Sequence, residues 1–309
     1  MVMTSEKSVG SGLRECLGPH CSFLGLAVPE CAFENAGAVI IPVPYDATTT
    51  YRAGTREGPR AILAASRELE PYDEETCTEA YRHGIATLEE LPVVVSSPRD
   101  MLDSVRVVGA QVLRSGKLPV LLGGEHLLSL GMIEAAADHF GDLSILHLDA
   151  HADLREQYQG SPYSNACIMR HGAALAPVVQ VGIRSLTAEE HEFIRAKKIP
   201  CFFAHDLHRD PSLYARVIPC LGKRVYLSID LDVFDPAVMP SVGTPEPGGL
   251  SWYEVIDLLR AVFRERQVVG FDVMELLPVP CFAAPDFLAA RLVYKLLSFF
   301  FAGAARPPC

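Results

Sequence analysis

The sequence predicts an α/β fold of three layers, αβα, with a mostly parallel central sheet. Three observations carry this. Six short runs rich in Val, Ile and Leu recur along the chain, and between them lie amphipathic stretches at helical spacing. The chemically interesting side chains fall just past the ends of the runs rather than inside them. Continuous apolar strands alternating with helices indicate a parallel sheet covered on both faces. In such sheets functional groups collect beyond the carboxyl ends of the strands.

In chain order, the first strand is expected at Ala38–Val43 and the first helix at Arg60–Glu68. A helix over Asp100–Arg114 precedes a strand at Leu118–Leu122, and a helix over Leu128–His139 precedes one at Leu143–His147. Strand Val178–Val181, helix Ala188–Lys197, strand Arg224–Ile229, helix Trp252–Arg264 and strand Gln267–Phe271 follow. The stretch Leu288–Ala305 is interrupted by Arg291 and Lys295. It reads as a buried helix, because a membrane span needs about 20 apolar residues with few charges. Residues 1–30 lack periodicity and read as a partly ordered N-terminal extension before a single domain over 31–309.

The chain has 309 residues, 49% hydrophobic and 21% charged, as expected of a globule with a large core. Its net charge of -11 makes it a poor partner for nucleic acid or an anionic membrane. Small cationic or neutral ligands suit it better. The nine cysteines are odd in number and include no CxxC pair. They read as reduced, mostly buried thiols in a reducing, cytoplasmic compartment. No apolar run follows the single lysine of the N-terminal segment, so it does not read as a secretory signal. Cys309, after two prolines, is expected to be exposed and has no assigned function.

Three strands end in titratable groups. Gly123-Gly124-Glu125-His126 follows one, Asp149-Ala150-His151-Ala152-Asp153 another, and Asp230-Leu231-Asp232 a third. Spacing by two would point Asp149, His151 and Asp153 the same way from extended backbone, and likewise Asp230 and Asp232. Four carboxylates at one sheet edge repel each other and raise their pKa values unless cations neutralise them. Two divalent ions would remove the conflict. Oxygen-rich ligation with one His per ion suits a hard ion such as Mn²⁺ better than structural zinc, and hydrolysis by an activated water is the natural chemistry. His147, His171, His191, His205 and His208 read as packing or surface residues. Gly124 is expected to let backbone pass close to the metal site. No GxSxG nucleophile motif is present.

These motifs, together with Gly270-Phe271-Asp272-Val273-Met274-Glu275, resemble the ureohydrolase family of arginases and agmatinases over roughly residues 35–300. The segment from Pro44 to Pro59 and the stretch from Arg155 to Arg170 are similar to the agmatinase branch. The resemblance implies an arginase-like fold, two Mn²⁺ ions, a linear guanidino substrate cleaved to urea and an amine, and trimers or hexamers. It implies that His126, Asp149, Asp153 and Asp232 hold one ion and Asp149, His151, Asp230 and Asp232 the other, with Asp149 and Asp232 bridging. Asp153 would also handle the proton of the attacking water, and Glu275 would grip the guanidinium. The loops Gln157–Tyr163 and Thr244–Gly248 would set the choice of substrate.

One position departs from the pattern. Where the agmatinase-like loop resembles YSHAC, this chain has Tyr163-Ser164-Asn165-Ala166-Cys167. Asn165 hydrogen-bonds but does not titrate near neutral pH. The leading expectation is therefore an active agmatinase-like hydrolase. The alternative is a metal-binding homologue with weak, altered or no hydrolysis because of Asn165.

Overall fold

The computed structural model describes residues 21–303. Most of the expected N-terminal extension, and Cys309, lie outside the described residues. Eight strands form one sheet: β1 (Ala38–Val43), β2 (Ile85–Thr87), β3 (Leu118–Gly123), β4 (Leu143–Leu148), β5 (Val178–Ile183), β6 (Cys201–Phe203), β7 (Arg224–Asp230) and β8 (Gln267–Met274). Their order is β2-β1-β3-β8-β7-β4-β5-β6, and every pairing is parallel. The helices are α1 (Gly58–Ser66), α2 (Pro98–Arg114), α3 (Ser129–Phe140), α4 (Ile168–Leu175), α5 (Ala188–Lys197), α6 (Ala204–Arg209), α7 (Trp252–Glu265) and α8 (Ala284–Ala302).

The apolar runs are buried on both sides because alternate residues serve different layers. Ala38 and Ile40 of β1 pack with α1, α7 and α8, whereas Val39, Ile41 and Val43 pack with α2, α3, α4 and α5. The helix starts follow from capping chemistry. Thr187 with Glu190, and Ser251 with Glu254, close reciprocal capping boxes on α5 and α7. Ser97 accepts from the Asp100 N–H ahead of Pro98 on α2.

The short edge strands β2 and β6 and the short helices α4 and α6 were not expected from sequence; none is long enough to show a clear period. The C-terminal stretch is the buried helix α8, with Lys295 inside it. Among the described residues no helix is long and apolar enough to cross a membrane.

The thiols need a correction. Cys77, in the partly exposed turn after Asp73, is disulfide-bonded rather than a reduced core thiol. Cys21, Cys220 and Cys281 are exposed, while among the described free cysteines only Cys31 and Cys167 are buried.

Candidate metal centre

All six nominated imidazole and carboxylate groups lie at the carboxyl edge of three strands, β3, β7 and β4, with β8 between β3 and β7. His126 opens the turn after β3, Asp149 follows β4, and Asp230 is the last residue of β7. His126 Nδ1 lies 3.0 Å from Asp149 Oδ2, 3.3 Å from Asp230 Oδ2 and 3.7 Å from Asp153 Oδ2. His151 Nδ1 lies 2.9 Å from Asp232 Oδ2 and 3.5 Å from Asp149 Oδ1. Asp149 thus faces both imidazoles, Asp230 stands beside His126, and Asp232 stands beside His151.

The residues converge, but not along extended backbone as spacing alone suggested. β4 ends at Leu148, and a single bridge to Ser185 carries His151 onward. Asp153 sits at φ 53°, in the left-handed region, with its carbonyl accepting from the Met169 and Arg170 N–H groups. Asp232 lies in a 3₁₀ turn whose N–H donates to Asp230 Oδ1 at 2.8 Å. Left-handed non-glycine backbone costs roughly 1–3 kcal/mol and persists where surrounding contacts enforce it.

The electrostatics fit a cation. Ser228 Oγ donates to Asp272 Oδ1 at 3.2 Å and lies 2.9 Å from His126 Nε2, so its oxygen accepts from that nitrogen. Nε2 then carries a proton, and Nδ1 faces three carboxylates. Nδ1 is buried and has no hydrogen-bond partner. A metal-binding imidazole commonly anchors its other nitrogen in this way. Burial, together with the charges of neighbouring aspartates, pushes Asp153, Asp230 and Asp232 above the usual carboxylate range. Burial opposes ionisation of His126, yet the Asp149 and Asp230 carboxylates beside it push it well above the imidazole range. The crowding can be relieved by a proton or by a metal ion.

A pocket of about 260 Å³ opens onto this cluster and includes His126, His151, Asp153, Asn165, Asp230 and Glu275 in its lining. Glu275 follows β8 at φ 67°. Its Oε1 accepts from the His126 N–H at 2.8 Å and from Asn165 Nδ2 at 3.1 Å. The single Thr48 hydroxyl proton is shared between Glu125 Oε1 at 2.9 Å and Asn165 Oδ1 at 3.2 Å, and the Thr48 N–H donates to Glu125 Oε2. Burial pushes the Glu125 carboxyl up to about 7. The loops expected to set substrate choice contribute Tyr158 and Thr244 to the lining, while the segment from Thr49 to Arg52 contributes four residues.

Several site residues were not read from sequence. His147 was taken as a packing residue; it is fully buried, but its Nε2 lies 2.9 Å from Asp149 Oδ2. The signal was its place two residues before Asp149, continuing the alternation of Asp149, His151 and Asp153. Arg184 ties the metal loop to its neighbour by donating to the carbonyls of Asp232 at 2.6 Å and Glu246 at 2.8 Å. Thr48 carried no sequence signal. Gly124 does admit a close backbone approach, but its neighbour is the Tyr45–Arg56 segment, where an added Cβ would collide with the Tyr45 carbonyl.

The sheet order and the cluster define an α/β protein with a metal centre's donor set at its carboxyl edge. Comparison with known proteins agrees. The model of the Arginase family matches residues 36–298. An N(1)-aminopropylagmatine ureohydrolase of Thermus thermophilus is 44% identical over 272 residues, 87% of this chain and 92% of that protein. The agmatine ureohydrolase of Thermoplasma volcanium superposes with a TM-score of 0.81 at 30% identity, covering 89% of this chain and 94% of that one. Proclavaminate amidino hydrolase from Streptomyces clavuligerus superposes with a TM-score of 0.84 at 28% identity, covering 96% and 100%. The chain belongs to the arginase family.

Proposed function

We propose that this protein is a manganese-dependent ureohydrolase acting on a linear guanidino amine of the agmatine type. One observation carries the reading: the buried, unpartnered His126 Nδ1 among Asp149, Asp153 and Asp230, in the same pocket as Glu275. The relatives named for agmatine and N(1)-aminopropylagmatine supply the substrate class.

His126, Asp149, Asp153 and Asp230 would hold one ion, and Asp149, His151 and Asp232 the other. The distances favour Asp230, rather than Asp232, as the companion of His126. Bound there, two Mn²⁺ ions would supply an activated water and neutralise the carboxylates. The chain's own groups do the rest. Glu275 Oε1 is held by the His126 N–H and Asn165, which leaves Oε2 to accept from the guanidinium as a charge-assisted pair. Asp153, fixed by its left-handed turn, stands at the pocket wall to take a proton at its carboxylate and pass it on. Asn165 donates no proton; it positions Glu275.

The test is urea release after Mn²⁺ reconstitution, with agmatine, N(1)-aminopropylagmatine, arginine and 4-guanidinobutyrate as substrates. Turnover of the two agmatine compounds is expected. No urea from any of the four would overturn the proposal. Glu275→Gln should lower kcat/KM about 10²-fold, as loss of roughly 3 kcal/mol of charged pairing implies, and leave Mn²⁺ stoichiometry unchanged.

A further inference from the structure

His147 lies among the metal-ligating groups, with side-chain atoms close to those of His126, Asp149 and Asp153. Distance alone would admit it as a ligand. The residue behind it decides otherwise. Gln180, on β5, is fully buried. Its Nε2 lies 2.7 Å from the Ala152 carbonyl and 3.1 Å from His147 Nδ1. A carbonyl only accepts, so the Gln180 atom facing Ala152 is the amide nitrogen rather than its oxygen. Its second hydrogen then points at His147 Nδ1, which must accept. A neutral imidazole that accepts at Nδ1 carries its proton on Nε2. That proton is directed at Asp149 Oδ2, 2.9 Å away. Gln180 Oε1 is meanwhile left buried without a hydrogen-bond partner. The amide is thus oriented for Ala152 and His147, and not by the needs of its own oxygen.

We propose that His147 is a positioning residue and not a metal ligand: Gln180 fixes its tautomer, and its Nε2–H anchors the Asp149 carboxylate that faces both halves of the centre. The same Gln180 amide holds the Ala152 carbonyl, between His151 and Asp153, so one side chain sets both the tautomer and the ligand loop. This inference rests on the metal-centre reading above.

The test titrates Mn²⁺ into metal-free wild type, His147→Phe, His147→Gln and Gln180→Met, read by isothermal calorimetry and by the Mn²⁺ paramagnetic resonance spectrum. Wild type should bind two ions. His147→Phe and Gln180→Met should still bind two, about 10–100-fold more weakly, with an altered spectrum. His147→Gln, which keeps an N–H donor, should recover most of the affinity. If His147→Phe binds a single ion, His147 is a ligand and the proposal fails. Equal affinity in all four proteins also overturns it. Should His147→Phe not fold, the near-isosteric Gln180→Met carries the test: weakened binding of two ions with an altered spectrum supports the proposal, and unchanged affinity and spectrum overturn it. Wild type binding no Mn²⁺ would refute the metal-centre reading itself, and the anchor with it.

Discussion

Asn165 Nδ2 donates to Glu275 Oε1 across 3.1 Å, while Asn165 Oδ1 accepts from Thr48 Oγ1. The residue that departs from the family pattern is therefore tied to the carboxylate nominated to grip substrate. A hydrogen bond to a charged group contributes about 1.5–3 kcal/mol. Asn165→Ala should accordingly lower kcat/KM roughly 10- to 150-fold, mostly through KM. Asn165→Asp sets a like charge against Glu275 and should lower it further. Steady-state kinetics with agmatine would check both; an unchanged KM in Asn165→Ala would remove Asn165 from the positioning of Glu275.

Metal removal should reach stability as well as activity. Without cations the aspartates around His126 and His151 are relieved only by protons. A ligand present at 100 times its Kd stabilises the folded state by about 2.7 kcal/mol. Mn²⁺ in that excess should raise the Tm of chelator-treated protein by several degrees at neutral pH, followed by calorimetry. An unchanged Tm would contradict a metal centre.

Far from the pocket, Lys295 is nearly fully buried on α8, 2.7 Å from the buried Asp73 and within 3.2 Å of Glu74 and Glu75. Breaking a buried pair from one side leaves an uncompensated charge and costs about 3–5 kcal/mol. Two Thr76 groups also donate to Asp73 Oδ1, so the lower end is expected. Lys295→Met should lower the unfolding free energy from urea denaturation by that amount, and Lys295→Met with Asp73→Asn should recover part of it.

Thiol reactivity should follow burial. Cys220 and Cys281 are exposed. Burial pushes the Cys201 thiol up to about 12 and the Cys167 thiol up to about 11, and the thiolate is the reactive form. Iodoacetamide at pH 8 should modify Cys220 and Cys281 within minutes and leave Cys167 and Cys201 intact until denaturant is added, as peptide mass mapping would show.

The layers and the six clustered groups were legible because each depends on a local pattern. β1, β3, β4, β5, β7 and β8 are apolar runs, and the Asp and His residues follow them at once. What escaped depends on contacts distant in sequence. Thr48 reaches Glu125 and Asn165 across 77 and 117 positions, and Arg184 caps carbonyls on two other loops. The place of Asp230, rather than Asp232, beside His126 was hidden for another reason: a 3₁₀ turn, not a strand, carries the chain from Asp230 to Asp232.

The strand order has a consequence for synthesis. β8, the last strand made, lies between β3 and β7. Until Gln267–Met274 leaves the ribosome, the earlier strands can pair only as two separate blocks, β2-β1-β3 and β7-β4-β5-β6, with His126 on one and the aspartates on the other. Loop closure over such separations slows folding, and unpaired strand edges invite association with other chains. The nascent protein must therefore wait with two open edges. A chain ending before residue 267 would carry all six nominated ligands without the strand that brings His126 to the aspartates.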